Sequence, residues 1–180
     1  MDKPSQPDIV TARLTLLWMS PRFMEASLAG RLDEASETLG AELPPSWPDA
    51  EVRRRLVMRL EQMRATPADA AWLLRAIVRR EDRKLVGVIN FHGAPDERGR
   101  AELGYPVFDG YRRNGYASEA ALGMMNWAHE AHAVETFVVS ISPDNEPSLR
   151  MAAKLGFVQV GSQIDEEDGE EWVYELSWQM

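Results

Sequence analysis

Apolar residues recur along the chain with two different periods, and each period predicts a different kind of secondary structure. Alternating or β-branched apolar runs predict strands; the first run, from Ile9 to Leu17, places Val10, Leu14 and Leu16 at alternate positions. The predicted strands are residues 9–17, 72–78, 85–91, 101–108, 136–141, 157–160 and 172–178. We therefore expect a sheet made of several strands that follow one another in sequence.

Helical spacing marks further segments between these runs. Ser20 before Pro21 is a capping residue followed by proline at the first helical position, and Asp49 can cap a later helix. The predicted helices are residues 21–29, 31–39, a segment after residue 49, 117–132 and 147–155. Strands and helices in this mixture predict a fold of mixed α and β class.

The helix after Asp49 carries two kinds of side chain. Val52, Leu56, Leu60 and Met63 recur at helical spacing and predict its buried face. Arginines occupy the positions between them: Arg53, Arg54, Arg55 and Arg59. A binding role for these arginines is one interpretation, and a solvated helix face is the one that charge runs favour.

Size and charge limit the architecture and the partners. A chain of 180 residues with 44% hydrophobic content suffices for one core, so we expect one domain over residues 1–180 with a polar tail at residues 1–8. A net charge of −9 repels phosphates, and nucleic acid is not an expected partner. No uncharged apolar run approaches the roughly 18 residues of a membrane span, so we expect a soluble, unprocessed chain without a membrane partner.

The chain contains no cysteine. This excludes disulfides, thiolate metal sites and a cysteine nucleophile, and it fits a reducing cytoplasm. His129 and His132 have a spacing that could hold a metal with a third ligand, but the sequence offers no such ligand nearby. No metal site is therefore expected.

A predicted strand, a turn and a helix follow one another between residues 101 and 132, and the turn is the best candidate for chemistry. Gly115 lets the backbone approach a ligand where a Cβ would interfere. The first N–H groups of the following helix have no partner within the helix, and the helix dipole also favours negative charge there. The turn can cradle a phosphate, although ordinary strand-to-helix turns use glycine as well.

Two motifs make a resemblance to a known family specific. Residues 112–117, Arg-Arg-Asn-Gly-Tyr-Ala, resemble the Gln/Arg-x-x-Gly-x-Gly/Ala signature of the GNAT superfamily of acyl-CoA N-acyltransferases. Residues 145–148, Asn-Glu-Pro-Ser, and 154–157, Lys-Leu-Gly-Phe, resemble the second motif of that family. Residues 11–16 are similar to the first strand of its ribosomal-protein-serine/alanine N-acetyltransferase-like (RimJ/RimL-type) subgroup.

The resemblance implies a fold and a co-substrate. The fold would be GNAT-like α/β (α+β), with a mixed, mostly antiparallel sheet of six to seven strands flanked by helices and splayed between the two central strands. Acetyl-CoA would bind to core motifs within residues 101–161. The residues implied to bind coenzyme A are Tyr105, Val107, Arg112, Arg113, Asn114, Gly115, Tyr116, Ala117, Asn145 and Ser148.

The resemblance also implies catalytic residues. Acyl transfer to an amine needs a group that removes a proton and an acid for the leaving thiolate. Glu102 would be the base, acting through a water, and Ser148 the acid. The alternatives are an exposed or salt-bridged strand carboxylate and a serine that only contacts the pantetheine arm. Many family members carry a tyrosine acid where this chain has Ala152.

The function implied by the resemblance is an N-acetyltransferase. It would move an acetyl or other acyl group from acyl-CoA to a primary amine of a protein N-terminus or a small molecule by direct attack. Ala152 keeps open an alternative, a coenzyme A-binding sensor or partner module with weak or no catalysis. A cytoplasmic location and a homodimer, as subgroup members often form, are further expectations.

Overall fold

The computed structural model describes residues 6–166 and 168–178, so residues 1–5 of the predicted polar tail lie outside the described residues. The strands are β1 (Ile9–Val10), β2 (Leu14–Trp18), β3 (Arg75–Arg79), β4 (Leu85–Phe91), β5 (Arg100–Gly104), β6 (Thr136–Ile141), β7 (Val158–Asp165) and β8 (Gly169–Ser177). The helices are α1 (Pro21–Leu28), α2 (Leu32–Leu39), α3 (Ala50–Ala65), α4 (Tyr116–His132) and α5 (Glu146–Leu155), with 3₁₀ turns at Pro67–Ala71 and Asp109–Tyr111.

Local capping fixes the ends of several helices, as the sequence predicts. Ser20 Oγ accepts the Phe23 N–H at 3.2 Å and begins α1. Asp49 Oδ1 accepts the Val52 N–H at 2.8 Å and begins α3. Gly156, at φ 90°, ends α5 in the left-handed conformation, where a side chain would be strained.

The strands form one sheet in the order β1-β2-β3-β4-β5-β6-β8-β7. Each neighbouring pair is antiparallel except β5 and β6, which are parallel. The predicted fold class is confirmed. The sheet has eight strands rather than six or seven because the first predicted strand bends at residues 11–13 into β1 and β2, which pair with Ile9 opposite Leu16.

Helices cover both faces of the sheet. The first three helices bury Phe23, Leu56 and Leu60 against one face. Helix α4 buries Ala120 and Met124 against the other face, which α5 also covers. Because side chains alternate along a strand, each residue of β5 is directed to one or the other helix layer.

Strand β5 separates from β6 while it stays beside β4. The parallel pairing ends at Glu102 opposite Val138, although β6 continues to Ile141. On the other side, the chain after β5 keeps its register with β4 as far as Gly87 opposite Val107. The sheet therefore opens as a V between β5 and β6, and Glu102 lies at the apex.

Some predicted strand ends are wrong, for local reasons. The strand expected from residue 72 begins at Arg75 because Pro67–Ala71 forms a 3₁₀ turn. Strand β5 ends at Gly104 rather than at residue 108 because Pro106 has no N–H to complete the ladder; its carbonyl still accepts the Val88 N–H at 2.9 Å. Strand β7 extends to Asp165 because it pairs with β8 along its length.

Gly87 is expected to tolerate no side chain, because β4 approaches the chain after β5 closely there. A Cβ at this position would lie 2.6 Å from Pro106 O and 3.1 Å from Val107 Cα. Backbone atoms cannot swing aside, so Gly87→Ala should lower the free energy of unfolding by about 1–3 kcal/mol. Thermal unfolding measures this, at roughly 2–4 °C per kcal/mol for a chain of this size.

The matched control for Gly87→Ala is Gly161→Ala in β7. A Cβ at Gly161 would meet no atom within 4 Å, so this variant should keep its melting temperature. Equal melting temperatures for the two variants would show that β4 can move away from Pro106 without cost. The close approach of Gly87 to Pro106 would then not determine the position of β4 and residues 105–107 on this side of the V.

Candidate functional site

The turn between β5 and α4 presents a run of free backbone N–H groups. Within the described part of the chain, the N–H groups of residues 113–118 donate to no other residue. Arg113 and Gly115 are left-handed, at φ 63° and φ 77°, and Gly115 is the N-cap of α4. Consecutive amides in such a turn form a concavity for an anion, and the helix dipole adds to the attraction. The turn therefore suits a phosphate.

Residues near the start of the chain hold this turn in place. Arg13 donates from Nη1 to Asn114 O at 2.9 Å and from Nε to Glu119 Oε2 at 2.7 Å. Glu119 Oε1 also accepts the Thr11 hydroxyl at 2.6 Å. Burial alone would raise the pKa of Glu119, but the bonds from Thr11 and Arg13 outweigh it and the pKa is lowered. The ionised Glu119 thus ties α4 and the turn to the first strand pair.

A groove with a volume of about 680 Å³ runs from this turn along the V. Tyr105, Pro106 and Val107 line one wall, and Asn145 and Ser148 at the start of α5 line the other. Basic side chains also line the groove: Arg55, Arg112, Arg113, Arg150 and Lys154. A groove with this lining and free amides at one end suits an elongated ligand that carries phosphates at that end.

Every predicted coenzyme A-binding residue except Asn114 lines this groove. Asn114 instead donates from Nδ2 to Arg112 O at 3.1 Å and shapes the turn. Arg112 Nε donates to Val107 O at 3.0 Å. Asn145 Oδ1 caps α5 by accepting the Ser148 N–H at 3.3 Å. Its Nδ2 donates to no residue in the described part of the chain, so it can donate to a ligand. Which of these residues touch a bound ligand stays a prediction.

Ser148 and Tyr105 face each other in the groove. Burial raises the pKa of Tyr105, and the nearby Ser148 hydroxyl opposes that effect in part. Ala152, one turn further along α5, is 2% exposed and has no polar side-chain atom. Tyr105 and Ser148 therefore each contribute a hydroxyl group to the groove, whereas Ala152 contributes none.

Glu102 lies at the apex of the V, on the sheet face that α3 covers. Its Oε1 accepts the Ser140 hydroxyl of β6 at 2.7 Å, and its Oε2 lies 3.6 Å from His92 Nδ1. The neighbouring His92 lowers the pKa of Glu102 most, burial opposes this, and the Ser140 bond lowers it further. With 32% of its side chain exposed, Glu102 is a carboxylate at neutral pH that water can reach.

The two predicted catalytic residues lie on different surfaces. Ser148 lines the groove, whereas Glu102 is not part of its lining and has partners on β6 and directly after β4. They form no hydrogen bond with each other within the described residues. A ligand that extends from the groove to the apex of the V would connect them.

Sequence reasoning missed the side chains that surround these residues. Ser140 carried a signal, since it lies two positions after Val138, which pairs with Glu102, and so projects from the same face of the sheet. His92 carried none, because its approach to Glu102 depends on the β4–β5 register. Arg13 lies within the segment that resembles the subgroup, but no sequence feature linked it to Glu119.

Within residues 6–166 and 168–178, no group of three or more His, Cys, Asp or Glu side chains could hold a metal ion. No helix there combines the length and apolar character that crossing a membrane requires. The cytoplasmic location stays a prediction.

Comparison with known proteins gives consistent matches. A family model described as the acetyltransferase (GNAT) domain matches residues 13–158. The uncharacterized N-acetyltransferase YjdG of Bacillus subtilis (strain 168) is 30% identical over 128 residues, which cover 69% of this chain and 74% of YjdG. A proposed ribosomal-protein-serine acetyltransferase from Vibrio cholerae superposes with a TM-score of 0.68 at 22% identity, over 97% of this chain and 99% of that one. The microcin C7 self-immunity acetyltransferase MccE, solved with acetyl-CoA and AMP, superposes with a TM-score of 0.65 at 15% identity, over 93% and 94%. Both structures share the fold.

Proposed function

Since the chain belongs to the acetyltransferase (GNAT) family, we propose that it moves an acetyl group from acetyl-CoA to a primary amine by direct attack of that amine. The family makes the chain an acyl-CoA-dependent acetyltransferase. The finer part of the proposal is the acceptor, a protein N-terminus or a small molecule. The fold shared with the Vibrio cholerae protein supports the ribosomal-protein-type subgroup, and a homodimer in the cytoplasm remains part of this proposal.

The free N–H groups of residues 113–118 are the observation that carries this function. These N–H groups lie at one end of the basic groove. From there the groove runs along the V between β5 and β6. The residues present fit coenzyme A: amides for the pyrophosphate, a groove of about 680 Å³ for the pantetheine arm, and Asn145 Nδ2 as a donor to that arm. The proposal includes acyl-CoA-binding motifs within residues 101–161 and a single domain over the chain.

Glu102 and Ser148 each carry out one of the two proton transfers that the reaction needs. Acetyl-CoA supplies the thioester that carries the acetyl group. Glu102 accepts, through a water, the proton that the amine loses as its nitrogen bonds to the acetyl carbon. Ser148, which lies beside Tyr105 in the groove, donates a proton to sulfur as the carbon–sulfur bond breaks. The Tyr105 and Ser148 pair thereby replaces the tyrosine whose position Ala152 occupies.

A thiol-release assay with acetyl-CoA tests this function. We expect turnover with at least one amine from a panel of peptides with free Ser or Ala N-termini, polyamines and aminoglycosides. A reaction without amine corrects for thioester hydrolysis, and mass spectrometry of the product identifies the acetylated nitrogen. Tight binding of acetyl-CoA without thiol release for any amine or acyl donor would contradict the enzyme and favour the sensor or partner module.

A further inference from the structure

The four arginines of α3 that lie between its apolar positions divide into two groups in the structure. Arg53 donates to Leu28 O at 3.1 Å, and Arg54 is exposed. Arg55 and Arg59 are half-buried and one helical turn apart. Arg59 Nη1 donates to His92 O at 3.3 Å, which places it beside the strand pair that carries the apex of the V. The solvated-face interpretation therefore fits Arg53 and Arg54, whereas Arg55 and Arg59 are only partly exposed.

Within the described residues, Arg55 and Arg59 together have one acidic ion-pair partner, Glu51. Arg59 forms no ion pair with any residue that the structure describes, and its hydrogen bonds go to the neutral Gln62 and to His92 O. Burial lowers the pKa of Arg59, and the nearby charge of Arg55 lowers it further. Arg55 pairs with Glu51 at 2.8 Å, but its buried Nε has no hydrogen-bond acceptor among the residues that the structure describes. Like charges one turn apart disfavour each other, so a bound anion would stabilise this pair.

The arginine pair lies close to the predicted base. The Glu102 carboxylate is near enough to raise the pKa of Arg59 against the effect of burial. His92 links them, since its carbonyl oxygen accepts from Arg59 and its ring lies 3.6 Å from Glu102. Arg55 also lines the groove beside Pro106. This face of the sheet thus presents positive charge from α3 and negative charge at the apex.

We propose that the acceptor is an amine that also carries an anionic group, a carboxylate or a phosphate, which Arg55 and Arg59 bind while the amine faces Glu102. Guanidinium groups suit this task because their planar donors match the oxygen geometry of both anions. This inference rests on the proposed function, since it takes the Glu102 side of the V as the acceptor side.

Matched acceptors that differ only in charge test the inference. The carboxylate arm compares the peptide amides Ser-Asp-Gly and Ser-Asn-Gly, and the phosphate arm compares phosphoethanolamine with ethanolamine. In at least one arm, kcat/KM should be about 10-fold higher for the charged member, as expected for one charge-assisted hydrogen bond. Arg59→Gln should remove this preference and leave the KM of acetyl-CoA unchanged. Arg55→Gln should remove the preference too, but because Arg55 also lines the groove, its effect on that KM is not part of the test.

Arg54→Gln on the exposed face of the same helix is the control and should keep the preference. Arg59→Lys, which keeps the charge, should retain part of it, and thermal unfolding identifies any variant that fails to fold. Equal kcat/KM values for both members in both arms would overturn the inference. So would a higher KM for acetyl-CoA in Arg59→Gln with the preference intact, since Arg59 would then serve the phosphates of the co-substrate.

Calorimetric binding of the same acceptors to the protein saturated with coenzyme A separates this inference from the proposed function. Absence of turnover with every amine would contradict the function, but a charged acceptor that binds more tightly than its neutral match, and loses that advantage in Arg59→Gln, would still support the anion site. Binding that does not depend on the acceptor charge, or no binding of any charged acceptor, would overturn the site.

Discussion

Glu102→Gln is expected to lower kcat by about 100-fold or more, because removal of a general base typically costs 10²–10⁴ in rate. Glutamine keeps the shape of the side chain and an oxygen that can accept the Ser140 hydroxyl, now at 2.7 Å from Glu102 Oε1. The variant loses only the charge and the ability to take a proton. Steady-state kinetics give kcat, and calorimetry should give an unchanged dissociation constant for acetyl-CoA.

Glu171→Gln is the matched control for the loss at Glu102. Glu171 accepts from Gln163 at 3.0 Å, and Gln163 donates to Ser140 at 3.2 Å, so this carboxylate belongs to the same hydrogen-bonded cluster as Glu102. The Glu171→Gln variant should keep a kcat close to that of the unchanged protein, because Glu171 does not lie at the apex of the V. Equal losses in the two variants would show that the negative charge of the whole cluster matters, and not proton acceptance by Glu102.

The lowered pKa of Glu102 also predicts the pH dependence of the reaction. His92 and Ser140 lower the pKa of the Glu102 carboxyl below its ordinary value. The carboxyl therefore stays ionised and gains no proton between about pH 6 and 9. An acid limb in kcat/KM should therefore report the acceptor amine. Changing to an acceptor whose amine pKa is about 1 unit lower should move the limb by the same amount. A limb that stays in place would contradict this.

The parts of the fold that could be predicted from the sequence are those that depend on neighbouring residues. Ser20 and Asp49 cap their helices through bonds to the third residue along, so a short segment contains the whole signal. The bend that separates β1 from β2 is only partly local: Thr11 bonds to Leu14 across it. Its attachment to α4 could not be predicted in this way, because Glu119, the partner of Thr11 and Arg13, is 106 residues from Arg13.

The same distinction applies to the candidate site. Gly115, in a turn before a helix, indicated a phosphate cradle because the free amides arise within the turn itself. The roles of Arg55 and Arg59 could not be separated from those of Arg53 and Arg54, because helical spacing predicts which face is buried but not which flank lies beside the V. That depends on how α3 rotates over the sheet, which is set by packing between distant segments.

Gly115→Ala is expected to raise the KM of acetyl-CoA by about 10- to 100-fold. An alanine disfavours the φ of 77° at this residue, and its Cβ would lie 3.3 Å from Arg13 Nη2, so the turn should move and misalign one or two amides. Each charge-assisted hydrogen bond lost costs about 1.5 kcal/mol or more, a factor of roughly ten in affinity. Substrate-saturation kinetics and calorimetry with acetyl-CoA measure the change.

Gly99→Ala separates the cradle from the backbone strain. Gly99 has φ 73°, nearly the value at Gly115, and a Cβ there would meet no atom within 4 Å. Both variants should therefore lose similar stability, about 1 kcal/mol, on thermal unfolding. Only Gly115→Ala should weaken acetyl-CoA binding, because only its turn presents the free N–H groups of residues 113–118. A similar rise in KM for both variants would mean that general destabilisation explains the effect, and it would remove the turn from the binding site.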